Sequence, residues 1–348
     1  MGNVYTKSGA LAKRIYFGAT LIWEKVIELY DLFKQRVLSD GGTFIENPIV
    51  FNNELLLLTS NAFKPGKLYS ALPEDGTGDF TVDRNSTATY VGQDGLIKTA
   101  LANVPRIDWS TGEAVLLLEP QMTNLVAYSE DFSNNAIWVR VGVGITSNLI
   151  TSPDGNISAT KMSPYEQSGT HFVLMNINNT VSHTVSSFFK SSEYDQAFLR
   201  FNDDNTNQAA IFDLTSGTIT RYYGSRTIGK MTDYGGGWYR CELYIENPIN
   251  LLNCQFGVAD NNDVIVSGDT ISGIYMWGAQ LEQGTEASSY IPTNGTTVTR
   301  LADNISVPTP AGVTSITETI DGVDQTPITT IPTTYSLPVG NINKVKMI

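Results

Sequence analysis

His171 and His183 are the only histidines in the chain, so any imidazole-based nucleophilic or acid–base chemistry has to use one of them. Neither lies near a Gly-x-Ser-x-Gly elbow, which the sequence lacks. A Walker loop, a dinucleotide fingerprint, paired Cys/His zinc spacing and a His-Glu-x-x-His helix are missing too. Gly235-Gly236-Gly237 leads into a strand pattern rather than a helix, so it offers no helix N-terminus to a phosphate. His183 falls within a strand pattern from Ser182 to Phe189 and is expected to be an ordinary sandwich residue. Two acidic clusters, Asp203-Asp204-Asn205 and Asp260-Asn261-Asn262-Asp263, carry the hard oxygens that suit Ca2+, which makes Asp203, Asp204, Asp260 and Asp263 the candidate metal ligands. Both clusters lack the sixth-position glycine and terminal glutamate of an EF-hand, and Asn and Asp between strands also serve as turn formers. A glycosidase carboxylate pair is defined by its separation in space and is not legible in sequence. Exposed aromatics are the remaining candidates, because sugar sites use aromatic platforms for pyranose faces and Asn, Asp or Gln for hydroxyls. Trp138, Tyr165, Tyr194, Tyr222, Tyr223 and Tyr234 lie in or beside expected loops, and Tyr222-Tyr223, at a strand end, is the first choice. Trp238 and Trp277 are expected to fill the core, and Trp138 fits either role. No residue is assigned a catalytic role, no cofactor beyond Ca2+ is expected, and the chain is read as a non-enzyme.

Composition restricts the partners. The chain has 348 residues, 41% of them hydrophobic and 16% charged, which describes a globular protein with room for two or three cores. Abundant Thr, Ser, Asn, Gly and Val favour strands and turns. A net charge of −13 argues against phosphate-backbone contacts with nucleic acid and against an anionic membrane surface. No apolar run approaches the roughly 20 residues of a membrane span. Residues 15–23 imitate a secretory core but run into Glu24-Lys25 without a small-x-small cleavage site, so they are read as mature protein.

The elements that must position these residues are mostly strands. One amphipathic helix is expected over 20–40, where Ile22, Val26, Leu29, Tyr30, Phe33 and Val37 form one stripe and Asp40-Gly41-Gly42 ends it. It packs either on its own chain, in the helix bundle of an oligomeric stalk, or on a neighbouring protein. A short hairpin is expected before it, from Val4-Tyr5-Thr6 and Arg14-Ile15-Tyr16-Phe17. Residues 51–120 read as a β-rich connector, with strands at 54–58 and 115–118 and a hairpin about Gln93-Asp94-Gly95. Trp238 to Ile245 alternates, with Tyr239, Cys241, Leu243 and Ile245 on one apolar face, and Leu251 to Val258 alternates likewise, with Leu252, Cys254, Phe256 and Val258 on one face. A turn at 246–250 would make them a hairpin with Cys241 and Cys254 opposed on the core side, a disulfide being one option and reduced core thiols the other. Ile320-Asp321-Gly322-Val323 is a type I′ hairpin signal, and 344–348 a closing strand.

Several ordered segments carry a family resemblance. They are Asn-Leu-Val-Ala-Tyr-Ser-Glu-Asp-Phe-Ser-Asn-Asn-Ala-Ile-Trp at 124–138, Pro153-Asp154-Gly155 with Ala159-Thr160-Lys161, Ser187-Phe188-Phe189-Lys190, and Ala210 to Gly217. Gly-Gly-Trp-Tyr-Arg-Cys at 236–241, Ser-Gly-Ile-Tyr-Met-Trp-Gly-Ala-Gln-Leu-Glu at 272–282 and Ser-Tyr-Ile-Pro-Thr at 289–293 complete the series. Together they resemble a lectin-like, carbohydrate-binding β-sandwich module of bacteriophage tail and head fibres. Lys67 to Ser70, Asp83 to Thr89 and Val104 to Asp108 resemble a segment that precedes that module. The resemblance implies a mainly β chain: an attachment region at 1–50, the connector at 51–120, a jelly-roll sandwich at 121–305 and a β appendage at 306–348. It implies a virion fibre or spike subunit, made in the host cytoplasm and exposed on the particle. Such a subunit would assemble as a homotrimer, dock on other virion proteins through the N-terminal region and present the sandwich to a host surface glycan. A minor capsid or tail-adaptor protein and a polysaccharide depolymerase are the alternatives.

Overall fold

Strand parity between residues 139 and 283 sorts side chains onto the faces of two six-stranded antiparallel sheets. The structure, a computed structural model, describes residues 4–5, 11–12, 21–46, 49 and 54–348. In spatial order, the first sheet runs Val139–Val141, His171–Asn179, Leu251–Ala259, Gln196–Asp203, Thr206–Asp213, Thr218–Tyr223. The second runs Val143–Thr151, Ile157–Pro164, Ile274–Gln283, His183–Lys190, Trp238–Ile245, Thr227–Asp233. From Ile157–Pro164 the chain crosses to His171–Asn179, back to His183–Lys190 and over again to Gln196–Asp203, which runs on as a meander through Thr206–Asp213 and Thr218–Tyr223. It then forms the pair Thr227–Asp233 and Trp238–Ile245 in the second sheet, crosses to Leu251–Ala259 and returns to Ile274–Gln283, the two-sheet winding of a jelly roll. One apolar layer lies between the sheets, built from Val173, Leu199, Phe201, Phe212 and Phe256 on one side and Met162, Val185, Phe189, Leu243 and Leu281 on the other. The expected mainly β sandwich is present.

Winding also corrects the cysteine hairpin. Trp238–Ile245 pairs with His183–Lys190 and Thr227–Asp233, whereas Leu251–Ala259 pairs with His171–Asn179 and Gln196–Asp203. The two strands therefore belong to opposite sheets, and residues 246–250 cross between them. Cys241 and Cys254 both face the central layer as free, fully buried thiols, and burial pushes Cys254 up to about 12. A register shift beside Asp203 places Leu251, rather than Leu252, in that layer. Trp238 and Trp277 are buried on the outer face of the second sheet, where Ile97 of the 88–100 hairpin and Tyr290 cover them.

Contacts divide the chain into two units, one of Met1–Thr87, Ala100–Pro120 and Leu301–Ile348, the other of Ala88–Thr99 and Gln121–Arg300. In the first unit the expected connector and appendage are one eleven-stranded sheet. Gly340–Met347 pairs with both Leu56–Lys64 and Ile316–Ile320, so the 306–348 segment supplies central strands of this sheet. Asp321 and Gly322 make the expected hairpin turn with φ of 50° and 77°. The helix Leu21–Ser39 (α1) packs on its own chain, with Phe33 and Val37 buried against Leu57, Ala62, Tyr69 and Ala71. It ends in a Schellman motif: Gly42 N–H donates to Val37 O, Gly41 N–H to Leu38 O, and Gly41 takes the left-handed φ of 72°. Val4–Tyr5 pairs with Leu11–Ala12 rather than with 14–17, and residues 14–17 lie outside the described residues.

A buried ionic cluster fixes the first unit. Arg84 Nη1 donates to Asp303 Oδ1 at 2.7 Å, Arg106 pairs with the other Asp303 oxygen and with Glu119 (2.6 Å), and Glu119 N–H donates to Asp303 Oδ2 at 3.0 Å. In sequence Arg84 and Glu119 lie just before the two points at which the chain leaves the unit, and Arg106 and Asp303 just after the two at which it returns. Removing one member of such a buried set leaves its partners charged and desolvated. Asp303→Asn should therefore cost about 3–5 kcal/mol of stability in urea unfolding of the full chain. A loss under about 1 kcal/mol would show that Glu119 alone neutralises both guanidiniums.

Candidate functional site: the outer face of the first sheet

Because the inner face is committed to the apolar layer, the alternate residues of the first sheet point outward. Cross-strand register lines them up in rows. Phe172, Gly257, Phe198, Ile211 and Arg221 form one row; Leu174, Gln255, Arg200, Ala209 and Tyr223 form the next; Asn176, Asn253, Asn202 and Asn207 form the third. Gly257 sits directly between Phe172 and Phe198, and a Cβ there would stand 2.3 Å from the Phe198 ring and 2.6 Å from His171 O. Only glycine lets the two rings close to a centroid separation of 6.3 Å in an edge arrangement.

Arg200 lies against both rings, its guanidinium carbon 4.9 Å from the Phe172 centroid and 5.0 Å from that of Phe198. The residue is 6% exposed. Nε donates to Gln255 Oε1 at 2.5 Å, and Gln255 in turn donates to Asn253 Oδ1 at 2.7 Å. Among the described residues neither Nη nitrogen has a partner. Burial pushes the Arg200 guanidinium down to about 10. Asn202 Oδ1, on the same face, is also buried without a partner among the described residues. Tyr223 borders Arg200 two strands away, with the Arg221 guanidinium 4.4 Å over its ring. This side of the sandwich thus offers a fixed cation with a free edge, an aromatic neighbour and a row of amides, a set suited to binding rather than bond breaking.

The structure separates the other aromatic candidates. Tyr222 points away from Tyr223 and lies at the seam between the sheets, where its hydroxyl accepts from Gly229 N–H at 3.3 Å. Trp138 is buried, edge-on to Phe256 at 5.4 Å, and its Nε1 donates to Tyr128 O, so it fills core and is no platform. Tyr234 packs edge-on against Phe188 at 4.9 Å on the outer face of the second sheet. Tyr165 is 48% exposed in the turn after Ile157–Pro164, and Tyr194 donates to Ser267 O. Sequence reasoning missed Arg200. The signal it left is one charged residue inside Ala197-Phe198-Leu199-Arg200-Phe201, where both faces of a strand are otherwise apolar.

The acidic clusters are turns at opposite ends of the first sheet. Asp204 and Asn205 (φ 49° and 60°) turn the chain between the paired residues Asp203 and Thr206. Asn261 and Asn262 (φ 51° and 60°) do the same between Asp260 and Asp263. Asp203 is fully buried, paired with Arg226 and accepting Asn250 N–H at 2.7 Å. Asp263 accepts from Ile265 N–H at 3.1 Å and lies 3.5 Å from Arg221. Asp203 aligns with Leu251 and Gln196 with Ala259, so a whole strand length separates the clusters. Among the described residues no group of three or more His, Cys, Asp or Glu side chains could hold a metal ion. His171 and His183 are buried; both ring nitrogens of His171 face backbone carbonyls, and His183 Nδ1 meets Val181 O at 2.7 Å.

A concavity of about 530 Å3 lies elsewhere on the same unit, lined by Tyr128, Glu130, Asp131, Ser158 and Thr293 among others. Burial raises the Glu130 carboxyl above its ordinary value, and Asp154 adds to the effect. The Tyr290 hydroxyl bonds Glu130 Oε1 at 2.8 Å and Ser129 Oγ at 2.7 Å. On the same unit the segments around Asn124, Gln280 and Ile291 are bonded to one another. Asn124 Nδ2 donates to Ala279 O and Ile291 O, its Oδ1 accepts from Val126 and Leu281 N–H, and Gln280 Oε1 accepts Ile291 N–H.

No protein-family model matches the chain, and no curated protein matches it. Among solved structures it is similar to the N-terminal CBM22-1–GH10 modules of Clostridium thermocellum endo-1,4-beta-D-xylanase 10B complexed with xylohexaose. The identity is 10% and the TM-score 0.27, covering 48% of this chain and 28% of that one. At that score the likeness carries no argument about fold or ligand.

Glu130 yields a signed pH prediction. Its proton is held to higher pH in the folded state, so the stability it adds is present below the ordinary glutamate value of 4.5 and is lost as pH rises through the folded value. Glu130→Gln keeps a hydrogen-bonding partner for Tyr290 and cannot ionise. The variant should gain stability relative to the parent as pH rises from 4.5 towards neutrality, read by urea unfolding at a series of pH values. A difference that stays constant across the series would contradict the assignment.

Proposed function

We propose that this chain is a non-catalytic structural and attachment protein of a bacteriophage virion, a fibre or spike subunit whose sandwich binds a glycan. The observation that carries the binding part is the outer face of the first sheet, where Arg200 keeps a free guanidinium edge beside Tyr223 and the row of Asn176, Asn202, Asn207 and Asn253. The ordered motif series from Asn124 to Thr293 supports the virion part. In this reading the first unit joins other virion proteins, and many weak glycan contacts add up over the copies on one particle.

Three measurements bear on it. Gold-labelled antibody against residues 121–305 should decorate discrete projections of purified particles, and unlabelled particles would contradict the virion assignment. Light scattering of the full chain should give a homotrimer; a stable monomer at micromolar concentration would contradict it. A panel of bacterial surface glycans should contain ligands for the full chain, and an empty panel would leave a structural role alone.

One observation favours a second reading. A carboxyl with a raised pKa in a polar cleft, as at Glu130, is what a polysaccharide depolymerase uses as its general acid. That reading predicts release of reducing ends from host polysaccharide and its loss in Glu130→Gln. Binding without release supports the attachment protein.

A further inference from the structure

We infer that the outer face of the first sheet takes a carboxylate-bearing saccharide unit, such as a uronic or sialic acid, on the free Nη edge of Arg200. This rests on the glycan-binding reading above and narrows its ligand. An arginine side chain cannot shed its charge, so a buried guanidinium needs a counter-charge or full hydrogen bonding. At four other arginines this fold supplies a counter-charge. Arg84 and Arg106 pair with Asp303 and Glu119, Arg226 pairs with Asp203, and Glu242 and Glu282 act on Arg240. Arg200 is buried like Arg84, Arg106 and Arg240, and its neighbours are two phenylalanine rings, a neutral glutamine and a tyrosine. In a chain with 35 carboxylates, none is placed on it among the described residues.

Its geometry is that of a preset fork. The Phe172 and Phe198 rings, brought together over Gly257, hold the guanidinium, and Gln255 holds Nε. The two Nη groups are left as the free edge, which matches a planar carboxylate in a bidentate pair. Little side-chain entropy remains to be lost on binding, so the pair is stronger than a mobile surface arginine would give. The amides of Asn253 and Asn202 lie along the same face for ring hydroxyls, and Tyr223 lies beside Arg200 for an apolar sugar face. A sulfate ester shares the negative charge without the planar two-oxygen match, so it forms the comparison ligand.

The test is calorimetric titration of the full chain with oligogalacturonate, with its methyl ester (the same sugar without the charge), with sialyllactose and with a sulfated galactan. The expected result is binding of at least one carboxylated ligand, weakened at least about tenfold by esterification or by Arg200→Gln. Thermal melting of Arg200→Gln separates loss of fold from loss of contact, and the ester comparison on the unaltered chain decides the point if that variant does not fold. Equal binding of acid and ester, or of neutral sugars alone, would overturn the carboxylate inference and leave the glycan reading intact. Binding of the sulfated galactan alone would replace carboxylate by sulfate. Full binding by a folded Arg200→Gln protein would remove the site from this face. Binding of no sugar, charged or neutral, would overturn both the inference and the reading beneath it.

Discussion

The apolar layer between the two six-stranded sheets is the constraint on which everything else in the sandwich rests. A strand alternates with a period of two, so committing Leu199, Phe201, Phe212, Cys254 and Phe256 to that layer sends Phe198, Arg200, Ile211, Gln255 and Gly257 to the opposite face. A slip of one residue would put a guanidinium into the core. On the outer face of the second sheet, Ile97 and Tyr290 pack with Phe188, Trp238 and Trp277. On the outer face of the first sheet, Asn202 Oδ1 and the Arg200 Nη groups have no hydrogen-bond partner among the described residues.

The motif residues do a different job from the proposed binding face. Asn124, Ser129, Gln280, Glu282, Tyr290 and Thr293 saturate one another and the backbone around them, joining the segment that enters the sandwich to the one that leaves it. Buried polar groups are costly when unpaired, so such a set specifies a single loop arrangement. Glu130 is the exception, held at a cleft rather than inside the network. The motifs therefore explain why this sandwich closes, and they are silent about what it binds.

Much of the local structure was legible. Alternation located Trp238–Ile245 residue for residue, and Asp-Gly and Asx pairs marked turns whose residues take left-handed φ. Partner choice was not legible. Trp238–Ile245 and Leu251–Ala259 look like a hairpin, because alternation reports which face is buried and not which sheet receives the strand. Gly340–Met347 lies between strands at 56–64 and 316–320, a pairing that spans most of the chain and leaves no local trace. Of the candidate site residues, Tyr223 lies on the outer face of the first sheet, Tyr222 at a seam and Trp138 in the core. Arg200 was hidden because its importance comes from what is absent around it, which only cross-strand register reveals.

The measurement that tests the central claim most directly is a crystal structure of the full chain grown with an oligouronate. The account predicts density for the sugar across the Arg200, Tyr223 and Asn253 rows, with a carboxylate at hydrogen-bonding distance from both Nη nitrogens. Sugar density confined to the Glu130 cleft, or an Arg200 guanidinium left bare at saturating ligand, would contradict it.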